Sequence, residues 1–68
     1  MEATVNCRDW EKARIVTLEV GAEIKELLDN VGLHAHATLV LKDGKPVPDN
    51  APVEDGGTYE AIPVASGG

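Results

Sequence analysis

Ile15-Val-Thr-Leu-Glu-Val-Gly-Ala-Glu-Ile-Lys-Glu-Leu-Leu-Asp-Asn-Val31-Gly32 changes its hydrophobic period halfway along, and that change decides the fold class. In the first half Val16, Leu18 and Val20 alternate with Ile15, Thr17 and Glu19. A period of two is the mark of a strand with one face toward a core. In the second half Ile24, Leu27, Leu28 and Val31 fall at i, i+3, i+4 and i+7, one apolar stripe of a helix. Glu23 sits in the first turn, where the helix dipole favours an acid. Gly32 follows the last apolar position and suits the C′ site beyond a helix end. The pattern predicts a strand followed by a short amphipathic helix, Glu23 to Val31, able to cover one face of a sheet.

Upstream, Met1, Ala3, Val5 and Cys7 alternate with Glu2, Thr4 and Asn6. Arg8-Asp9-Trp10-Glu11 reads as a turn, so the first two strands form a hairpin. Downstream, Ala37 to Lys42 is apolar and β-prone, with Leu39 and Leu41 on one face and Val40 on the other. Asp43-Gly44 is a strong two-residue hairpin signal. Lys45-Pro46-Val47-Pro48 suits only an edge, because each proline removes a ladder donor. Asp49 to Gly57 reads as a loop, and Thr58 to Val64 as the last strand, fraying at Pro63. Ala65-Ser66-Gly67-Gly68 has nothing bulky to bury and is expected to be mobile.

The order is β-β-α-β-(β)-β, an α+β layout with one helix packed across one sheet. The expected domain is residues 1–64, followed by a tail at 65–68. Its expected core is Val5, Val16, Leu18, Leu27, Leu28, Leu39 and Leu41. With Tyr59 and Ala61 also inward, Val40 and Ile62 fall on the water side.

Sixty-eight residues make one domain at most, with little room for an enclosed active site. A content of 43% hydrophobic and 26% charged residues is ordinary for a folded chain. The net charge of -6 argues against nucleic acid, which needs clustered Lys and Arg, and favours a basic partner surface. A single cysteine precludes an internal disulfide and a cysteine-ligated cluster. No apolar run approaches a membrane span and no signal peptide is evident, so no membrane partner and a cytoplasmic location are expected. The chain is expected to be a monomer.

The pair Gly67-Gly68 adds chemistry to this body. Read as a terminus, it offers a free carboxylate on residues without Cβ, which can thread a narrow enzyme channel. Such a carboxylate can be adenylated and converted to a thiocarboxylate, a thioester or an isopeptide. No processing protease would then be needed.

Order, length and Gly-Gly together resemble the ubiquitin-like β-grasp family, in its prokaryotic branch: archaeal small modifier proteins and the sulfur carriers of molybdopterin and thiamine synthesis. Val40-Leu-Lys-Asp-Gly-Lys-Pro-Val-Pro48 is similar to the V-DG-PVP segment of the archaeal modifiers. Ile62-Pro-Val-Ala-Ser-Gly-Gly68 is similar to the PPV-GG tail of molybdopterin-type carriers. Gly57 departs from the acid that carriers often place before the last strand, and Ala65-Ser66 departs from the usual tail.

The resemblance implies that a ubiquitin-activating-like adenylyltransferase uses ATP to activate Gly68. Sulfur would then go to a molybdopterin, thiamine or tRNA acceptor, or the acyl group to lysines of target proteins. The chain itself would need no cofactor and supply no catalytic side chain. The alternative is a non-covalent ubiquitin-like binding module, for which Gly-Gly is only a flexible end. An electron carrier on the same fold would need four cysteines. An enzyme is not expected, for lack of a Ser-His-Asp set, a P-loop or a metal triad.

The expected partner patch is Val40, Ile62, Val64 and Trp10, beside the tail. Trp10 can also pack on the hairpin end of the core. Cys7 is in phase with Ala3 and Val5 and reads as a core thiol. His34 and His36, without a fixed third ligand, read as loop residues, and no metal is expected. Lys12, Lys25, Lys42 and Lys45 read as solubilising charges that could each accept a second modifier.

Overall fold

The computed structural model describes residues 1–64; the expected tail, including Gly67 and Gly68, lies outside the described residues. Strands β1 (Glu2–Cys7) and β2 (Arg14–Thr17) form the first hairpin. Helix α1 (Ile24–Asn30) follows, then a 3-10 turn at Ala35–Ala37. Strands β3 (Thr38–Lys42), β4 (Lys45–Val47) and β5 (Thr58–Pro63) complete the domain. The sheet has five strands in the order β2-β1-β5-β3-β4. β5 runs parallel to β1 and antiparallel to β3, so the last strand is the centre of the sheet. This is an α+β arrangement, as the element order predicts, and the β-grasp that the resemblance implies.

The helix stripe does what its spacing requires. Ile24, Leu27 and Leu28 are buried against Ala3, Val5, Val16, Val40, Tyr59 and Ala61. Glu26 accepts a hydrogen bond from the Glu23 backbone N–H at 3.1 Å, which satisfies one donor ahead of the helix. At the other end Gly32, with φ 78°, donates to the Asp29 carbonyl at 3.2 Å, and Leu33 donates to Leu28 at 2.9 Å. These two bonds are the Schellman closure, which needs a left-handed residue where Gly32 stands.

The Asp43-Gly44 turn closes β3 onto β4 with Lys42 opposite Lys45. Both turn residues have positive φ, 53° and 79°, the conformation whose twist matches a two-residue hairpin.

Two expectations on burial are corrected. β3 has the opposite phase: Val40 is buried at 3% exposure, while Leu39 is 42% exposed and Leu41 half-buried. The cause is register. Val40 lies directly opposite Ala61, and Ala61 opposite Cys7. Directly paired residues share a face, so the helix-side positions of β1 and β5 draw Val40 inward with them. Val20 also leaves the face of Val16 and Leu18 and is exposed. The strand ends at Thr17, and the chain turns at Gly21, φ 93°, where Ala22 donates to Glu19 at 3.1 Å.

The stretch from Asp49 to Gly57 does more than connect. Its carbonyls at Ala51 and Asp49 accept from Ile24 and Lys25, both at 2.9 Å, donors that the helix cannot satisfy internally. Val53 is buried, and the Tyr59 hydroxyl accepts from the Glu54 N–H at 2.9 Å. A Cβ on Gly57 would lie 3.0 Å from the Glu54 carbonyl oxygen and 3.0 Å from the Tyr59 ring. Packing therefore accounts for the glycine there.

Candidate functional site: the open sheet face and the exit of β5

Among the described residues, the face of the sheet away from the helix has no cover. Its rows follow from the register. Leu39 stands beside Ile62, and Leu41 beside Glu60, which stands beside Asn6. Thr58, Thr4 and Ile15 form the next row. The face is apolar at one end and polar at the other.

The apolar end is where β5 leaves the sheet. Leu39 is exposed, Ile62 half-buried, and Val64 exposed at 49%. Val64 is held by one backbone bond, its N–H donating to the Ala37 carbonyl at 2.8 Å. The last described residue thus lies beside the start of β3.

Of the four patch residues expected from sequence, Ile62 and Val64 occupy this end. Val40 is removed from the patch by its burial, and Leu39 takes its place. Trp10 lies in the β1–β2 turn, which follows Cys7 at the same end of the sheet. It is half-buried and packs on the core, with the Arg14 guanidinium 4.1 Å above its ring. That cation–π contact uses one face of the ring and holds the turn against the domain. The signal for Leu39 was present in the sequence as an apolar residue on each side of Val40; only the partner strand could say which parity was wet.

The other singled-out residues fall elsewhere. Cys7 is buried in the core at 1% exposure. His34 and His36 are both exposed, the first preceding the 3-10 turn and the second within it. Lys25 is paired with Glu23 at 3.1 Å, and Lys42 with Glu54 at 3.1 Å and Asp43 at 3.3 Å. A hydrogen bond from Lys25 to Glu23 raises its pKa above the ordinary value. Lys42 is raised as well, first by its hydrogen bond to Glu54 and then by Asp43. Lys12 and Lys45 are exposed. Among the described residues no helix is long and apolar enough to cross a membrane.

The family model for small archaeal modifier protein 2 matches residues 1–59. The chain belongs to that family. The match spans β1 through the start of β5, the whole of the helix and its covering loop, and stops short of Gly67-Gly68. Membership makes the chain a ubiquitin-like small modifier, in agreement with the β-grasp sheet and its single helix. No curated protein matches it.

Proposed function

We propose that the chain is a modifier whose reacting group is the carboxylate of Gly68. An ATP-dependent activating enzyme joins that carboxylate to AMP with release of pyrophosphate. A sulfur donor then displaces AMP to leave a thiocarboxylate, or a lysine amine displaces it, by way of the enzyme, to leave an isopeptide. The single observation that carries this reading is the family match over residues 1–59, with Gly67 and Gly68 eight and nine residues beyond its limit.

Physical chemistry supports the division of labour. A carboxylate is a poor electrophile until it becomes a mixed anhydride, and the chemistry is supplied by the partner. The body has only to hold the reacting end in register, and positioning of this kind is worth several orders of magnitude in rate. Leu39 and Ile62, exposed or half-exposed beside the exit of β5, are the surface we assign to that docking, with Leu41 and Val64 at its margin. The partner is an adenylyltransferase; the acceptors are a sulfur-accepting synthase, a tRNA-thiolation system or lysines of target proteins. No cofactor is required by the modifier, and its acceptor chemistry is that of a monomeric protein in the cytoplasm.

The test is pyrophosphate exchange with the activating enzyme, comparing the chain with a variant lacking Gly67 and Gly68. Exchange is expected only with the intact chain. Equal exchange by both would show that Gly68 is not the reacting end. Intact mass after reaction then separates the two outcomes, as oxygen replaced by sulfur in the chain or as the mass of the whole chain, less one water, added to an acceptor protein.

A further inference from the structure

The two edges of the sheet are treated differently by the sequence. β2 is one edge and β4 the other. At β4 the turn places Lys42 and Lys45 in a hydrogen-bonded pair, so the antiparallel alternation directs position 46, and position 48 beyond it, outward. Both are proline. An outward-facing proline offers no N–H, and this edge has no donor to give a new strand.

β2 is the reverse. Met1 and Leu18 exchange backbone bonds, 2.8 Å in each direction. In an antiparallel ladder such pairs alternate, so Ala3:Val16 and Val5:Arg14 are bonded, and Glu2:Thr17 and Thr4:Ile15 are not. An independent observation agrees. The backbones of Glu2 and Thr4 are used on the opposite side, where Gly56 donates to Glu2 at 2.7 Å and Thr4 donates to Gly57 at 2.8 Å. Ile15 and Thr17 therefore direct N–H and C=O groups away from the sheet. Both residues are exposed, and Ile15 is 70% accessible on the open face. No proline interrupts this edge, and its one charge, Arg14 on the helix side opposite Val5, is turned over the Trp10 ring.

The surroundings define what would pair there. Glu2 stands across from Thr17, and Glu19 lies two residues further on; both are exposed acids. At the other end Arg14 is engaged over Trp10. A second copy would bring another net charge of -6 against this one, which opposes self-pairing. We propose that the free edge of β2 is a strand-pairing site for an extended antiparallel partner segment, bonded to Ile15 and Thr17, with an apolar residue beside Ile15 and Lys or Arg beside Thr17 and Glu19, the first reaching across Thr17 toward Glu2. Main-chain bonds supply the attachment and the flanking side chains the selection, as in other strand additions. β1 separates this edge from β5, and the site would serve a partner that reads the modifier without covalent chemistry.

The probe is a synthetic Lys-Thr-Lys-Thr-Val peptide with blocked ends, which in antiparallel pairing sets its two Lys and its Val opposite Glu19, Thr17 and Ile15 on one face, titrated into the isotopically labelled protein at low salt. The Ile15 and Thr17 amides are expected to shift and to exchange more slowly with solvent, while Lys45 and Val47 stay unchanged. The Thr17→Pro variant removes one outward donor and leaves the bonds to β1 intact; it is expected to weaken binding at least tenfold. Should that variant fail to fold, a peptide N-methylated at the central Lys, the residue opposite Thr17, removes a bond at the same pair from the other side. A Glu-Thr-Glu-Thr-Val peptide is expected to bind at least tenfold more weakly than the basic one. Three results would overturn the proposal: no amide shifts at millimolar peptide, shifts centred on Leu39 and Ile62, or edge protection that grows with protein concentration alone and so reports a second copy.

Discussion

The two faces of the sheet are built from similar apolar residues put to different use. On the helix side Ala3, Val5, Cys7, Val40, Tyr59 and Ala61 are all buried, and the helix residues Ile24, Leu27 and Leu28 close over them. On the open side Leu39, Leu41 and Ile62 sit among Thr4, Asn6 and Glu60 and keep contact with water. Strand β3 contributes to both, with Val40 to one face and its two leucines to the other. The difference teaches that an apolar side chain stabilises this domain only where the helix covers it, and is available for recognition where it does not. Four experiments test that contrast, beginning with the largest effect.

Val40→Asp should place an unpaired carboxylate in the covered face. A cost of at least about 4 kcal/mol is expected, enough to leave most of so small a domain unfolded. Circular dichroism in urea reads it directly, and a native-like transition midpoint would mean that Val40 does not face the helix.

Leu27→Ala attacks the cover itself. Leu27 is fully buried, and truncation of such a leucine costs roughly 2–5 kcal/mol. The measurement is again denaturant unfolding; a loss below 1 kcal/mol, on the scale of about 0.5 kcal/mol typical of surface changes, would argue that helix and sheet are loosely joined.

The double change Leu39→Asp and Ile62→Asp addresses the open face. Stability should fall by no more than about 1 kcal/mol, as for exposed positions, while adenylation by the activating enzyme should drop at least tenfold. Normal activation of the folded double variant would remove this patch from the docking surface. Unfolding would instead show that the open face is less exposed than its accessibility indicates.

The smallest effect is electrostatic. Lys42 holds its proton more tightly than the ordinary 10.5 because Glu54, then Asp43, bond to its ammonium. A group raised in the folded state contributes stability that is complete below its unfolded pKa and disappears as pH rises through the folded one. The contribution of Lys42 should therefore be intact up to about pH 10.5 and fade above it. Comparing thermal midpoints of the native chain and Lys42→Gln across pH 8 to 12 checks this, and a gap that widened at high pH would contradict the sign.

Much of this was legible in the residues because the relevant information is local. The alternation of Ala3, Val5 and Cys7 with Thr4 and Asn6 assigned β1 and its faces, since polar residues on one side leave a single solution. The stripe Ile24, Leu27, Leu28 gave the helix and its buried side, and Asp43-Gly44 gave a hairpin whose φ values only such residues take readily. Gly32 gave the helix stop for the same reason. The open end of the sheet was found in part: Ile62 and Val64 stand where an outward reading puts them, and Val40 does not.

What the tertiary structure decided is what depends on partners far along the chain. The inward side of β3 rests on Ala61, a residue about twenty positions later, because β3 is apolar on both faces and carries no parity signal of its own. The burial of Val53 and the capping of the helix by Asp49 and Ala51 rest on a loop whose composition suggests only a connection. The bareness of one sheet edge follows from β5 taking the centre, a placement that no pattern within β2 encodes. The sequence by itself determined the elements, the class and the glycine pair, because periodicity and turn chemistry are written over a few neighbouring residues. Register, edges and the wet parity of an all-apolar strand were settled only by folding, because each is a relation between segments rather than a property of one.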